Sequence, residues 1–169
     1  MTTPGDLIEQ LTIGPRVRQN HALEHATISL LTERNPKIML RGRSTANGFY
    51  VYGNLEIEDL RECTVEALQR LRNGEPEMAI HPRCGTNLAV AGIMAGLSSA
   101  LVGEIPPRRN KFSRAILASL VSLFFAPAVG TYVQRRYTTQ TPTDDLSVVD
   151  TAKRGRASGN AYFVRTTHA

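Results

Sequence analysis

The stretch "RVRQNHALEHATISLLTE" at residues 16–33 is typical of a helix, and it organises the first half of the chain. Gly14 and Pro15 stand just before it, and proline is tolerated in the first helical turn. Asn35 and Pro36 follow it, and a helix usually ends before a proline. The sequence therefore predicts one helix with clear start and stop signals.

The two faces of this predicted helix differ in chemistry. At about 100° per residue, Leu23, Ala26 and Leu30 fall on one apolar stripe. His21 and His25 fall on the opposite side. We expect the stripe to pack in a core and the histidines to form a pair.

After this helix, the spacing of apolar residues indicates strands first and then another helix. The runs "KIMLRGR" (37–43) and "GFYVYG" (48–53) flank a polar turn and predict a β-hairpin. Residues 56–74 predict an amphipathic helix, and "EMAI" (77–80) predicts a short strand. The expected buried face of the second helix consists of Leu60, Val65, Leu68 and Leu71.

Two long runs without charge follow, at 86–102 and 115–134. Each has about 17 to 20 residues, near the lower limit for a helix that crosses a bilayer of about 30 Å. Pro127, in the second run, is better tolerated in membrane helices than in soluble ones. The runs predict a two-helix transmembrane hairpin; the alternative is a pair of helices buried in a soluble core.

The first apolar run also contains a GxxxG pattern formed by Gly92 and Gly96. Small residues at this spacing let two membrane helices approach closely. We therefore expect a lipid bilayer as one partner and a second copy of the chain as another, bound through these glycines.

The excess basic charge, +5 at neutral pH, is concentrated beside the apolar runs, in "PPRRNK" (106–111) and "RRY" (135–137). Arginines at these positions suit lipid headgroups. No nucleic-acid motif accompanies the charge, so we predict no nucleic-acid partner. A module that binds anionic lipid is a further, weaker interpretation.

Two other features of the sequence indicate the cellular compartment of the soluble part. The first residues, "MTTPGDLIEQL" (1–11), lack the apolar core of a signal peptide. Two cysteines, Cys63 and Cys84, are too few for a disulfide scaffold. We expect the soluble part to lie in the cytoplasm, with Cys63 packed inside a helix.

The predicted organisation has three parts and is of the α+β class. Residues 1–85 form a small metal-binding domain of helix, β-hairpin, helix and short strand. Residues 86–137 form the membrane hairpin. Residues 138–169 form a linker and a C-terminal strand, because "RASGNAYFVRTTHA" resembles "RSTANGFYVYG" of the hairpin. That strand would pack back on the soluble domain.

The strongest chemical signal is His-x-x-Glu-His, formed by His21, Glu24 and His25. Residues four apart on a helix share a face, so both imidazoles can bind one ion. The pattern is that of inverted zinc peptidases, in which the glutamate is the general base on a zinc-bound water. The alternative is a helix that carries two surface or capping histidines.

A second segment, "HPRCGTN" (81–87), offers further ligands in His81 and Cys84. Histidine and cysteine are preferred zinc ligands. If both bind, the site is closed and structural. If one binds, a water position stays open and Glu24 can act as a base. The alternative for this segment is a capping turn with an inert cysteine.

Taken together, "RQNHALEHATISLL", "GRSTANGFYVYGNL" and "HPRCGTNLAVAGIMAGL" resemble an uncharacterised family of bacterial membrane proteins. The resemblance implies membrane association and brings no established activity. We expect the membrane to be the bacterial inner membrane. The likeness to inverted zinc peptidases is confined to the His-x-x-Glu-His motif. Two functions remain open: a membrane-anchored zinc hydrolase of peptidase type, and a non-catalytic, metal-stabilised assembly or interaction factor.

Overall fold

A computed structural model describes residues 14–106, 109–155 and 160–169. The prediction about a signal peptide at 1–11 lies outside the described residues, as do two residues of the predicted linker between the apolar runs. The helices and strands are, in order, α1 Pro15–Arg34, β1 Arg41–Thr45, β2 Gly48–Tyr52, α2 Ile57–Arg72, α3 Gly85–Glu104, α4 Lys111–Val133, β3 Leu146–Lys153 and β4 Ala161–His168.

The fold is α+β, as the sequence predicts. The described residues form two compact units. The first takes in the chain up to His81 and from Arg135 onward, and the second is Pro82–Gln134.

The first unit is built on a four-stranded antiparallel sheet with strand order β1-β2-β4-β3. The hairpin of β1 and β2 is confirmed. The C-terminal segment supplies β4, which pairs with β2 in the centre of the sheet. β3, in a region expected to be linker, is an edge strand with an irregularity between Val148 and Asp150.

Alternate residues of β2 and β4 face the helices and form the core with them. From the sheet the core takes Phe49, Val51, Leu146, Tyr162 and Val164. α1 is buried on more than one side, since Leu23 on the apolar stripe is fully buried and His25 on the opposite side is 3% exposed. The histidine side of α1 is therefore covered as well.

The predicted face of α2 needs one correction, because Val65 is 49% exposed. It lies about 140° around the helix from Leu60, outside the stripe that meets the core. Cys63, Thr64 and Ala67 are buried there instead. The buried Thr64 hydroxyl donates a hydrogen bond to the Leu60 carbonyl at 2.6 Å, one turn earlier in the same helix.

The strand predicted at 77–80 is wrong: Pro76–Ala79 is a 3₁₀ turn. Its backbone bonds are local, from Met78 N to the Glu75 oxygen at 3.2 Å and from Ile80 N to the Glu77 oxygen at 3.0 Å. Pro76 begins the turn without losing a needed N–H. The turn is short and buries Ala79.

The second unit is the pair α3 and α4. The Ser98 hydroxyl lies 3.1 Å from that of Ser122, and the Ser119 hydroxyl donates to the Ala95 carbonyl at 3.2 Å. At one end of the pair, a Cβ at Gly130 would lie 2.2 Å from Asn87 Oδ1, so a larger residue would collide with that side chain.

Both helices of this unit are long and apolar enough to cross a membrane. The spans are Gly85–Glu104, which is α3, and Lys111–Thr138, in which a π-helical turn at Gln134–Thr138 continues α4. Their mean hydropathies are 1.5 and 1.9. The apolar side chains point outward: Leu97 is 60% exposed and Phe124 is 79% exposed. This exposure favours the membrane hairpin over a pair of helices buried in a soluble core.

Candidate metal centre

His21 and His25 lie one turn apart on α1, with ring centroids separated by 4.2 Å. The ring planes are tilted by 59°. The helical repeat alone brings them this close, as the spacing predicts. His25 is buried and His21 is half-buried, so the pair extends from the core toward the surface.

Each ring has one nitrogen engaged by a backbone carbonyl. His21 Nδ1 lies 2.9 Å from the Thr138 oxygen, and His25 Nδ1 lies 2.7 Å from the Ala79 oxygen. A carbonyl oxygen only accepts, so each Nδ1 carries the hydrogen and donates it. In a neutral ring with the hydrogen on Nδ1, Nε2 has the lone pair, which is the form of imidazole that binds a metal.

His81 lies close to the same pair. Its ring centroid is 5.7 Å from that of His25, with the planes tilted by 40°. The His81 ring is half-buried. Three imidazoles from two distant parts of the chain therefore meet within the first unit.

Cys84 belongs to the second unit, where it is the N-cap of α3. Its sulfur accepts a hydrogen bond from Thr86 N at 3.4 Å. Along the chain it follows His81 by three residues, a reach of at most about 11 Å. Its role as a ligand stays a prediction.

The Glu24 side chain is buried against β1. One carboxylate oxygen accepts a hydrogen bond from the Ser44 hydroxyl. A Cβ at Gly42 would lie 1.9 Å from the other oxygen, so the strand makes room for the carboxylate by lacking a side chain there. Glu24 is 5% exposed, so its carboxylate is held in a fixed, largely water-free position.

The histidine contacts join α1 to two connecting segments, one ending before Pro82 and one beginning after Gln134. Ala79 precedes α3 in the chain and Thr138 follows α4. The Arg135 guanidinium bonds the Glu77 carboxylate at 2.9 Å, which joins the two segments to each other. Arg18 Nη2 also donates to the Thr139 carbonyl at 3.3 Å.

Residues 16–151 match the model of DUF6391, a domain of unknown function. The chain belongs to the DUF6391 family. A relative, an uncharacterised protein of Picosynechococcus sp., is 36% identical over 179 aligned positions, which cover 95% of this chain and 86% of the relative. No solved structure matches the chain.

Three neighbouring residues of α2 in this DUF6391 domain have other surroundings. Burial raises the pKa of the Cys63 thiol, and the fully buried side chain packs in the core, as expected. Glu62 and Glu66, two acidic residues of the same helix, bond Arg34 at 3.0 and 2.9 Å.

Sequence reasoning missed the groups that position the DUF6391 site. Ser44 orients Glu24, and the carbonyls of Ala79 and Thr138 orient the two rings. Asn20 is also central: its amide donates to the Thr45 carbonyl at 2.9 Å, and its oxygen accepts from Thr166 at 2.8 Å. The sequence signal for Asn20 is an asparagine directly before His21 on the predicted helix.

Proposed function

We propose that this protein is a membrane-anchored zinc hydrolase of peptidase type. His21 and His25 bind zinc, and His81 or Cys84 supplies the third protein ligand. Glu24 is the general base. The soluble unit lies on the cytoplasmic side of the bacterial inner membrane, and α3 and α4 anchor it in the bilayer.

The observation that carries the proposal is the pair of Nδ1 hydrogen bonds, from His21 to Thr138 and from His25 to Ala79. Zinc-binding histidines commonly donate the second ring nitrogen to a carbonyl or carboxylate, which fixes the tautomer and the ring orientation. Here two adjacent imidazoles are arranged in that way. If the two histidines were only surface or capping residues, there would be no reason for both to donate through Nδ1.

The exposure of the cluster supports an open site. His21 and His81 are half-buried, whereas His25 and Glu24 are buried. A catalytic zinc keeps one coordination position for water or substrate. Ligands at the edge of the protein leave room for that position, and Glu24, on the same turn of α1, is shielded from bulk water.

Zinc, when bound, would lower the pKa of its water toward about 7 and polarise the substrate carbonyl. Glu24 takes one proton from the attacking water, whose oxygen bonds to the carbonyl carbon. The carbon–nitrogen bond breaks, and Glu24 returns the proton to the leaving nitrogen. Ser44 donates to one carboxylate oxygen of Glu24, and the other oxygen lies against β1 beside Gly42. The proposal therefore requires the Glu24 side chain to turn toward the histidines when it acts as the base.

The test uses the full chain in detergent micelles. Metal analysis should find zinc in stoichiometric amount, and Glu24→Gln should retain it while losing hydrolysis of fluorescent casein. Binding of acetohydroxamate to the cobalt-substituted protein should change the visible spectrum, because an open coordination position accepts it. A protein that folds without binding zinc would refute the proposal.

A second candidate function is a non-catalytic assembly or interaction factor whose metal is structural. The contacts to Ala79 and Thr138 favour it, because they bring both connecting segments to one turn of α1. In that case the site is closed by His81 and Cys84 together. Cobalt substitution should then show a thiolate charge-transfer band, acetohydroxamate should not bind, and Glu24→Gln should leave metal and function unchanged.

A further inference from the structure

The outer face of the sheet, opposite the helices, carries aromatic and basic side chains on neighbouring strands. Tyr50 and Tyr52 alternate with the buried Phe49 and Val51, so they point to the outer face. Phe163 pairs directly with Tyr50 in the register and shares that face. The rings of Tyr50 and Phe163 are 4.6 Å apart, and those of Tyr50 and Tyr52 are 6.0 Å apart and nearly parallel.

Arginines lie beside these rings. In the β1–β2 register Arg41 is opposite Tyr52 and Arg43 is opposite Tyr50. Both arginines are exposed, and among the described residues neither has a carboxylate partner. Asp150 is opposite Arg165 at the other side of the sheet, so the unbalanced positive charge lies at the β1–β2 end.

Two cavities open on this face and meet at Tyr50. The larger, of about 1180 Å³, is lined by Arg41, Arg43 and Tyr52 among others. The smaller, of about 700 Å³, is lined by Phe163 and Arg165 among others. Tyr50 lines both, so the two cavities adjoin at this side chain. Two adjoining cavities suit an extended ligand better than a compact one.

We propose that this outer face binds single-stranded nucleic acid. Bases stack on Tyr52 and on the Tyr50–Phe163 pair, and the guanidinium groups of Arg41 and Arg43 bind phosphates. Aromatic side chains on the central strands of a four-stranded sheet are one established way to recognise unstacked bases. β2 and β4, which carry the three rings, are the central strands here.

This inference is independent of the metal centre and runs against the prediction of no nucleic-acid partner. That prediction rested on the lack of a local motif. The residues of this face come from three segments, around 41–43, 50–52 and 163–165, which meet only in the sheet. No motif search over a short window would find them together.

The test measures fluorescence anisotropy of labelled oligo(U) and oligo(dT) of about twelve nucleotides, a length within known site sizes. The full chain is used in phosphatidylcholine nanodiscs, which contribute no net lipid charge. Comparison of the two oligonucleotides shows whether RNA or DNA is preferred. Binding is expected, and it should weaken as salt rises.

Tyr52→Leu should weaken binding on the order of ten-fold or more, whereas Tyr52→Phe should bind like the parent protein. Arg43→Gln should reduce the salt dependence by about one unit of slope, whereas Arg16→Gln, a charge-matched change at an exposed position of α1, should not. Unchanged circular dichroism and thermal unfolding would show that each variant is folded.

Three results would overturn the proposal. One is no binding of either oligonucleotide by the folded protein. Another is equal affinity for uridine triphosphate, which would make the site one for mononucleotides. The third is tighter binding to phosphatidylglycerol vesicles than to either oligonucleotide, with both lost in Arg43→Gln, which would make the site one for anionic lipid.

Discussion

The Nδ1 atom of His25 lies 2.7 Å from the carbonyl oxygen of Ala79, a residue 54 positions further along the chain. The bond is buried, and it fixes which nitrogen of the ring has a lone pair. It also gives a hydrogen-bond donor to a buried carbonyl at the end of a 3₁₀ turn. One contact thus serves both the site and the fold.

Replacement of this ring should therefore reduce both metal affinity and stability. In His25→Ala, zinc should bind at least about 100-fold more weakly, because loss of a ligand exceeds the loss of an outer-shell contact. The free energy of unfolding without metal should fall by about 1 to 3 kcal/mol, since the Ala79 carbonyl loses its donor. Titration calorimetry and chemical unfolding in chelator measure the two effects. His168→Ala, near the end of β4, is the control and should retain zinc.

Gly42→Ala tests the contact between β1 and Glu24. The added Cβ would lie 1.9 Å from a carboxylate oxygen, so the side chain or the strand must move. We expect a loss of about 1 to 3 kcal/mol of stability, the usual cost of overpacking. Gly14→Ala, where a Cβ meets nothing within 4 Å, should change little.

A double variant separates this collision from a general effect on the strand. Glu24→Ala removes the carboxylate, so Gly42→Ala should cost less in its presence than alone. Thermal unfolding of the four proteins gives the coupling. If the two effects simply add, the carboxylate does not occupy the space beside Gly42.

Glu75 should make stability depend on pH in the acidic range. Its hydrogen bonds from Arg70, at 2.6 and 3.0 Å, hold the pKa of the carboxyl below its ordinary value. The folded state therefore binds this proton less readily, so the contribution is present above the ordinary pKa and is lost as pH falls through the lowered one. In Glu75→Gln, that part of the acid-induced fall in melting temperature should disappear. An unchanged pH profile would show that the pair contributes nothing.

Gly92 and Gly96 should affect self-association without affecting the hairpin itself. A Cβ at either position meets nothing within 4 Å, so packing of α3 against α4 does not require them. Gly92→Leu should keep the helical content and reduce cross-linking between copies in nanodiscs. Gly103→Leu, at another open position of α3, is the matched control. Equal cross-linking in both variants would exclude a GxxxG interface.

The helices could be predicted because their apolar residues either recur at helical spacing or form long uncharged runs. α1 and α2 repeat with helical spacing, and the uncharged runs leave few other structures available. β3 could not be predicted from alternation. Its register shifts between Val148 and Asp150, so inward-facing residues stop falling on every second position.

The site was predictable only in part, for a similar reason. The spacing of His21 and His25 is local and follows from the helix, whereas their carbonyl partners are backbone groups that any residue carries. The residue types at positions 79 and 138 do not indicate that their carbonyl oxygens accept these hydrogen bonds. The sequence therefore identifies the imidazoles but not the groups that set their tautomers.

Thr138 and Ala79 lie at the two ends of the segment that contains both apolar helices, and each gives its carbonyl to a ring on the same turn of α1. An ion held by those rings would favour the tautomers that keep both carbonyls in place. Such coupling is reciprocal. If the ion favours the ordered state of these two segments by some factor, the ordered state binds the ion more tightly by the same factor. If the proposed ion is bound, its affinity should therefore be lowest before these two segments are ordered and highest once they are in place.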